Sequence, residues 1–204
     1  MDGSGVNEMR LRRALREPGR AWSVGLSLVH GWWYKTWYRL RGTRFRAGRN
    51  FRVAGRLIVR GPGSVIFGDD VRIAMTVTPW TYSAEAMISV GDGTFLNGTS
   101  FGCRKEIRIG PRCIVADARI MDTDFHSIRR DRHSDSAPVR VRPVVLEENV
   151  WVAAEAGLLP GTTIGRNSVV GFGAVCAGEY PADHLIVGNP ARAIRPLPEP
   201  SESA

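Results

Sequence analysis

Leu146, Val152, Leu158, Ile164, Val170 and Cys176 stand six residues apart without a slip, and this spacing constrains the fold more than any other feature of the chain. At 43% hydrophobic content, six matches in one frame arise by chance at about 0.6%. The residues four places after the first five of them, Val150, Ala156, Thr162, Ser168 and Ala174, are all small, and Gly165 and Gly171 directly follow their apolar residues. The same frame appears earlier: at Phe67 and Ile73 with Gly68 and Val71, at Val90 and Leu96 with Gly91, Thr94 and Ser100, and at Ile109 and Val115 with Gly110, Cys113 and Ala116.

Each unit reads apolar, small, any, any, small, any. Three units make one triangular turn of about 18 residues, each unit supplying a short strand, with turns stacked at roughly 4.8 Å so that backbone groups pair with the turns above and below. The apolar residue points inward and the small residue lets the chain bend at the corner. The predicted fold is all-β, a parallel β-helix over residues 51–190, with an arm at 1–50 and a tail at 191–204. The frame breaks over 122–143, a stretch rich in Asp, Arg, His and Ser that must leave the prism as a loop. Long insertions on a rigid scaffold commonly carry function.

Within the arm, Trp22, Leu26, Val29, Trp33, Trp37 and Leu40 follow steps of three and four, which predicts an α-helix over residues 10–40. Ser23, Ser27, His30, Lys35, Arg39 and Arg41 occupy its other faces. Trp with Arg on an amphipathic helix suits a membrane interface; the alternative is that the Trp stripe packs on the body of the protein or on a sister subunit. Charge follows the same division. Residues 1–60 hold 14 Lys and Arg against 3 Asp and Glu, a net +11, whereas residues 61–204 hold 14 against 17, a net −3. The basic end suggests attraction to an anionic surface, phosphates or acidic lipid headgroups. Of the 28 basic residues 26 are Arg, which genome composition also explains.

A chain of 204 residues with 24% charged residues fits one globular domain. Its longest apolar stretch, Ala21 to Tyr34, has 14 residues, short of the roughly 20 that span a bilayer. No secretory leader pattern is present, so the expected location is the cytoplasm, with peripheral contact on the inner face of the membrane through residues 10–40. Cys103, Cys113 and Cys176 show neither CxxC spacing nor an even count, which predicts buried free thiols and no thiolate metal site.

Several segments together resemble the hexapeptide-repeat acyltransferases, in particular the sugar and polysaccharide O-acetyltransferase branch. They are Val90-Gly-Asp-Gly-Thr-Phe-Leu-Asn97, Ile120-Met-Asp-Thr-Asp-Phe-His126, Val150-Trp-Val-Ala-Ala154, Leu159-Pro-Gly-Thr-Thr-Ile-Gly165 and Val187-Gly-Asn-Pro-Ala-Arg192. The resemblance covers about residues 65–196 and implies a left-handed coil, against the usual right-handed crossover preference. It also implies a homotrimer and direct acetyl transfer from acetyl-coenzyme A to a hydroxyl of a sugar or glycan, without an acyl-enzyme. His126 is then the general base, since an alcohol is a poor nucleophile at neutral pH and imidazole titrates close to it. Asn97, Asp122 and Asp124 are the expected acceptor-side residues, with either aspartate able to orient the imidazole. Ala154, Phe172 and Ala177 are expected along the pantetheine, and Arg192 and Arg195 at the nucleotide phosphates. Two family residues are replaced: Cys103 and Arg104 stand where a coil aspartate is usual, and Gly178 where a lysine is.

Three other functions compete. A zinc hydratase of the carbonic anhydrase type shares the β-helix but needs three converging His ligands, which His30, His126, His133 and His184 do not supply by spacing. A non-catalytic platform would need only the repeats. N-acetylation of an amino sugar or other amine would use the same base. No metal and no nucleic acid are expected among the partners.

Overall fold

The computed structural model describes residues 18–199. Beyond the helix Pro18–Leu40, the described chain is a stack of short strands in three parallel sheets. The first face runs through Phe45–Ala47, Ser64–Phe67, Met87–Val90, Glu106–Ile109, Val144–Leu146, Thr163–Ile164 and Glu179–Tyr180. The second runs through Arg52–Val53, Arg72–Ala74, Phe95–Asn97, Ile114–Ala116, Trp151–Val152, Val169–Val170 and His184–Gly188, and ends on the antiparallel strand Ala191–Pro196. The third comprises Arg56–Leu57, Thr76–Thr81, Ser100–Cys103, Arg119–Met121, Gly157–Leu158 and Val175–Cys176.

Registers follow the repeat. Leu146 pairs with Ile164, Val152 with Val170 and Leu158 with Cys176, each 18 positions apart. All six residues of the opening series are buried, as are Val150, Ala156, Thr162, Ser168 and Ala174 at the corners. The polar corner residues bury no loose hydroxyl: Thr162 Oγ1 donates to the Cys176 carbonyl at 2.9 Å and Ser168 Oγ to the Pro181 carbonyl at 2.9 Å. Asn149 donates to Asn167 at 3.0 Å and Asn167 to Asp183 at 2.7 Å, a side-chain ladder up one edge. All three sit at positive φ, which Asn and Asp tolerate better than most residues. The three cysteines are free and buried, and burial pushes the Cys113 and Cys176 thiols up to about 11 and raises Cys103 further.

The first coil begins at Phe45, inside the expected arm, and Ala191–Pro196 extends the second sheet instead of trailing away as a tail. The helix starts at Pro18; the expected portion at 10–17 lies outside the described residues.

The helix also seats itself by a different face. Ser27, Gly31, Tyr34 and Tyr38 turn inward, and Trp22, Leu26, Val29, Trp33, Trp37 and Leu40 are all exposed, so the Trp stripe does not pack on the body of the protein. The reason lies in what the first coil needs. Its outer edge has no strand above it, so its amides and carbonyls require partners. Tyr38 OH donates to the Leu57 carbonyl at 3.0 Å and accepts from Val59 N–H at 2.9 Å, and Tyr34 OH accepts from Leu57 N–H at 3.2 Å. Gly31 lets the helix backbone come against the Phe51 carbonyl, where any Cβ would collide. Tyr38, Phe45, Phe51 and Phe67 then close the core with ring centroids 5.2 to 6.1 Å apart.

Candidate active site

The excursion loop leaves the third face after Met121 and returns at Val144. Ile109 consequently pairs with Leu146, 37 positions on, instead of the usual 18. Its base is an ordered antiparallel stem: Asp124 N–H donates to the Arg140 carbonyl at 3.1 Å, Arg142 N–H to the Asp122 carbonyl at 2.9 Å, and Thr123 bridges Val141. The Arg140 guanidinium grips the Asp124 carboxylate through two nitrogens, at 3.1 and 3.2 Å, across the same stem.

The Asp122 carboxylate is turned into the stack. It is fully buried and accepts the backbone N–H groups of Arg104 at 2.7 Å, Lys105 at 2.6 Å and Glu106 at 2.7 Å, with the Cys103 thiol at 3.4 Å. Three amides at a coil corner would otherwise lack partners, and one carboxylate from the next coil satisfies them all. No hydrogen bond joins it to His126 among the described residues. Asp124 likewise spends its carboxylate on Arg140, and the contact it makes with His126 is through backbone, His126 N–H to its carbonyl at 2.7 Å.

His126 itself stands just past the stem, with its ring exposed and without a hydrogen-bond partner among the described residues. Its two neighbours are anchored. Ser127 is buried and accepts Arg129 N–H at 3.2 Å. Phe125 holds φ at 60°, a region that costs a non-glycine residue roughly 1–2 kcal/mol. What holds it there is its ring, packed edge-on to Tyr82 at 4.8 Å and lying over Gly102, where a Cβ would stand 2.7 Å from it. Tyr82 in turn stacks on Trp80 at 5.0 Å, and the Arg60 guanidinium lies 5.3 Å from the Trp80 ring centre. This aromatic row was missed from the sequence. Its one visible sign is an over-long coil, since Val65 pairs with Ile88 across 23 positions.

The remaining expected residues fall on two edges. Asn97 ends its strand at the corner between the second and third faces, where its amide makes no hydrogen bond among the described residues. Ala154 and Phe172 occupy the same corner in later coils, with Gly173 N–H donating to the Ala154 carbonyl at 3.1 Å. His126 and Ala177 lie at the opposite corner, between the third and first faces. The third face separates the two groups: its strands between Asn97 and the loop, Ser100–Cys103 and Arg119–Met121, have four and three residues, about 10–13 Å at the usual rise of a strand. One chain does not bring His126 to Asn97.

Arg192 and Arg195 are both exposed on the closing strand. Three residues apart, they would point to opposite sides of a regular strand. A bulge between Leu185 and Ile186 on the pairing restores them to one side: Arg192 faces Val187 and Arg195 faces Leu185. Among the described residues no group of three or more His, Cys, Asp or Glu is placed to hold a metal ion.

Residues 143–178 match the family model of the bacterial transferase hexapeptide, in its six-repeat form. Residues 143–178 thus carry the hexapeptide repeat. Among curated proteins the chain is 30% identical over 126 residues to Escherichia coli WcaF, named for acetyl transfer in colanic acid biosynthesis, covering 61% of this chain and 64% of that one. It is 44% identical over 55 residues to a Schizosaccharomyces pombe protein named as an acetyltransferase, 27% of each chain. The hexapeptide-repeat chain thus spans less than two thirds of the length of these relatives. Among solved structures, it matches the fold of a mutant of AntD, an N-acyltransferase from Bacillus cereus crystallised with dTDP and coenzyme A (TM-score 0.64, 16% identity, 79% of this chain and 88% of that one). It matches the fold of the polysialic acid-specific acetyltransferase NeuO with a TM-score of 0.53 and 22% identity, over 78% of this chain and 86% of that one.

Proposed function

We propose that the protein is an acetyl-coenzyme A-dependent O-acetyltransferase that acts on a hydroxyl of a sugar or glycan, with His126 as general base. The observation that carries this is an imidazole left open to solvent between two anchored residues, Phe125 and Ser127, at the mouth of the excursion loop of a hexapeptide-repeat stack. The names of WcaF and NeuO support acetyl transfer to a glycan.

His126 takes the proton of the acceptor hydroxyl as its oxygen attacks the thioester carbonyl. The tetrahedral intermediate collapses with cleavage of the carbon–sulfur bond, and the proton on His126 goes to the departing thiolate of coenzyme A. Neither Asp122 nor Asp124 has a free carboxylate for the ring, so its orientation rests on the backbone, fixed by Phe125. Ala177 lines the pantetheine on the side of His126, Ala154 and Phe172 line it from a neighbouring chain, and the paired Arg192 and Arg195 meet the nucleotide phosphates. The acceptor is held by Asn97 of a neighbouring chain, because its corner and that of His126 lie a face apart in one chain. A homotrimer with sites between chains meets this requirement.

The test is release of coenzyme A thiol across sugars, nucleotide sugars and lipid-linked glycans, with amino sugars in the same panel. His126→Ala should lower turnover at least 100-fold while leaving coenzyme A binding by calorimetry unchanged. Wild-type turnover in that variant refutes the base. No coenzyme A binding in the parent protein leaves a platform instead of an enzyme, and transfer to amines alone moves the acceptor to an amino sugar.

A further inference from the structure

The helix Pro18–Leu40 closes the end of the stack with one side and leaves the other bare. Its inner side reaches residues of all three faces of the first coil, at Phe45, Phe51 and Leu57, so it lies across the end of the prism and not along a flank. The outer side carries Trp22, Leu26, Val29, Trp33, Trp37 and Leu40, between 41 and 80% exposed. The Trp33 and Trp37 rings are stacked at 5.6 Å, and the Arg41 guanidinium lies 5.4 Å from the Trp37 ring centre. A continuous apolar stripe of this kind on a protein surface marks a contact surface.

Charge identifies what it contacts. Residues 18–60 contain ten Lys and Arg and no Asp or Glu. Beside the stripe, an open groove of about 1430 Å³ between the helix and the first strand of the first face is lined by Lys35, Arg39, Arg44 and Arg46, with no carboxylate among its lining residues. We propose that this end of the protein docks on a bilayer containing anionic lipid. The Trp stripe enters the boundary between headgroups and acyl chains, and the cations of the groove meet lipid phosphates. Trp and Arg on one amphipathic helix suit that depth. A second copy meeting this end head-on would set the groove cations against their own kind, which repels it, whereas an anionic surface attracts them. Among the described residues no helix is long and apolar enough to cross a membrane, so the contact lies on the surface. The proposal does not depend on the chemistry of His126.

The full chain is sedimented with vesicles of phosphatidylcholine alone and of phosphatidylcholine with phosphatidylglycerol at roughly 7:3, in about 0.1 M salt. Binding to the anionic vesicles with a blue shift of Trp emission is expected. Arg39→Gln with Arg46→Gln should weaken partitioning by about 30-fold. Val29→Glu with Trp33→Glu should abolish it, with the thermal transition of both variants unchanged as the check on folding. Failure of the parent chain to bind anionic vesicles overturns the proposal, and so does equal binding to phosphatidylcholine alone or undiminished binding by the Glu variant. If the Glu variant instead changes the mass by light scattering and leaves vesicle binding intact, the stripe joins copies of the chain and the proposal is wrong.

Discussion

Asp122 offers the sharpest separation of a structural carboxylate from a catalytic one. One oxygen accepts Arg104 N–H and the other accepts both Lys105 and Glu106 N–H. In Asp122→Asn the amide oxygen can keep two of these bonds, and the new NH2 group faces the third amide, leaving one buried donor unsatisfied at a cost of about 2–3 kcal/mol. Asp122→Ala orphans all three donors and opens a small void, which raises the loss to about 4–6 kcal/mol. For a domain of this size about 1 kcal/mol moves Tm by about 2–4 °C, so the expected drops are about 4–12 °C for Asn and about 8–24 °C for Ala. Thermal unfolding followed by circular dichroism reads the first quantity. Coenzyme A release, measured well below the Tm of the Asn variant, reads the second, and turnover there should stay within about threefold of wild type because the carboxylate touches no open surface. A wild-type Tm combined with a collapse of turnover would refute this reasoning and return Asp122 to the chemistry.

Two further predictions follow from the closing strand and the buried thiols. If the bulge sets Arg192 and Arg195 side by side for an anionic cofactor, Arg192→Ala with Arg195→Ala should raise the KM for acetyl-coenzyme A at least tenfold with little change in kcat; an unchanged KM removes both from the coenzyme site. The Cys113 and Cys176 thiols are raised to about 11 in the folded chain against about 9 for an ordinary thiol. Above pH 9 the unfolded chain gives up these protons and the folded chain keeps them, so stability is present below pH 9 and falls from pH 9 to 11, by about 1.4 kcal/mol per pH unit for each thiol. Urea unfolding at pH 8, 9 and 10 checks the sign, and because the Cys103 thiol is raised as well, Cys113→Ala should flatten the slope by about a third.

The rows of the core were legible because a period of six has one inward residue per unit, and pairs such as Leu158 and Cys176 are separated by the three units of one turn. Where coils lengthen, the arithmetic loses its grip. Arg56 pairs with Thr76 across 20 positions and Val65 with Ile88 across 23, and the surplus residues bring out Trp80 and Tyr82. The helix is legible only in part: its sequence has an apolar face and a face of Gly and Tyr, and hydrophobicity alone leaves open whether the apolar one packs inward or meets a membrane. The deciding demand was for hydroxyls that pair with a bare strand edge, as Tyr34 and Tyr38 do. The buried setting of Asp122 was not legible because an acid next to a loop reads as solvated, and its three amides come from residues 16 to 18 positions away in the preceding coil. His126 and Asn97 were singled out individually, but their separation across a face required the corners to be known.

A parallel stack has no inherent reason to stop growing, since each coil offers the next one an identical template. Here the helix lies over the first coil at one end, and at the other the reversed strand Ala191–Pro196 pairs along the last parallel strand of the second face. Shaving off the helix would thus do more than remove a docking device: it would uncover Phe45 and Phe51 on a sticky, hydrogen-bond-hungry rim, and molecules so trimmed should add end to end into filaments.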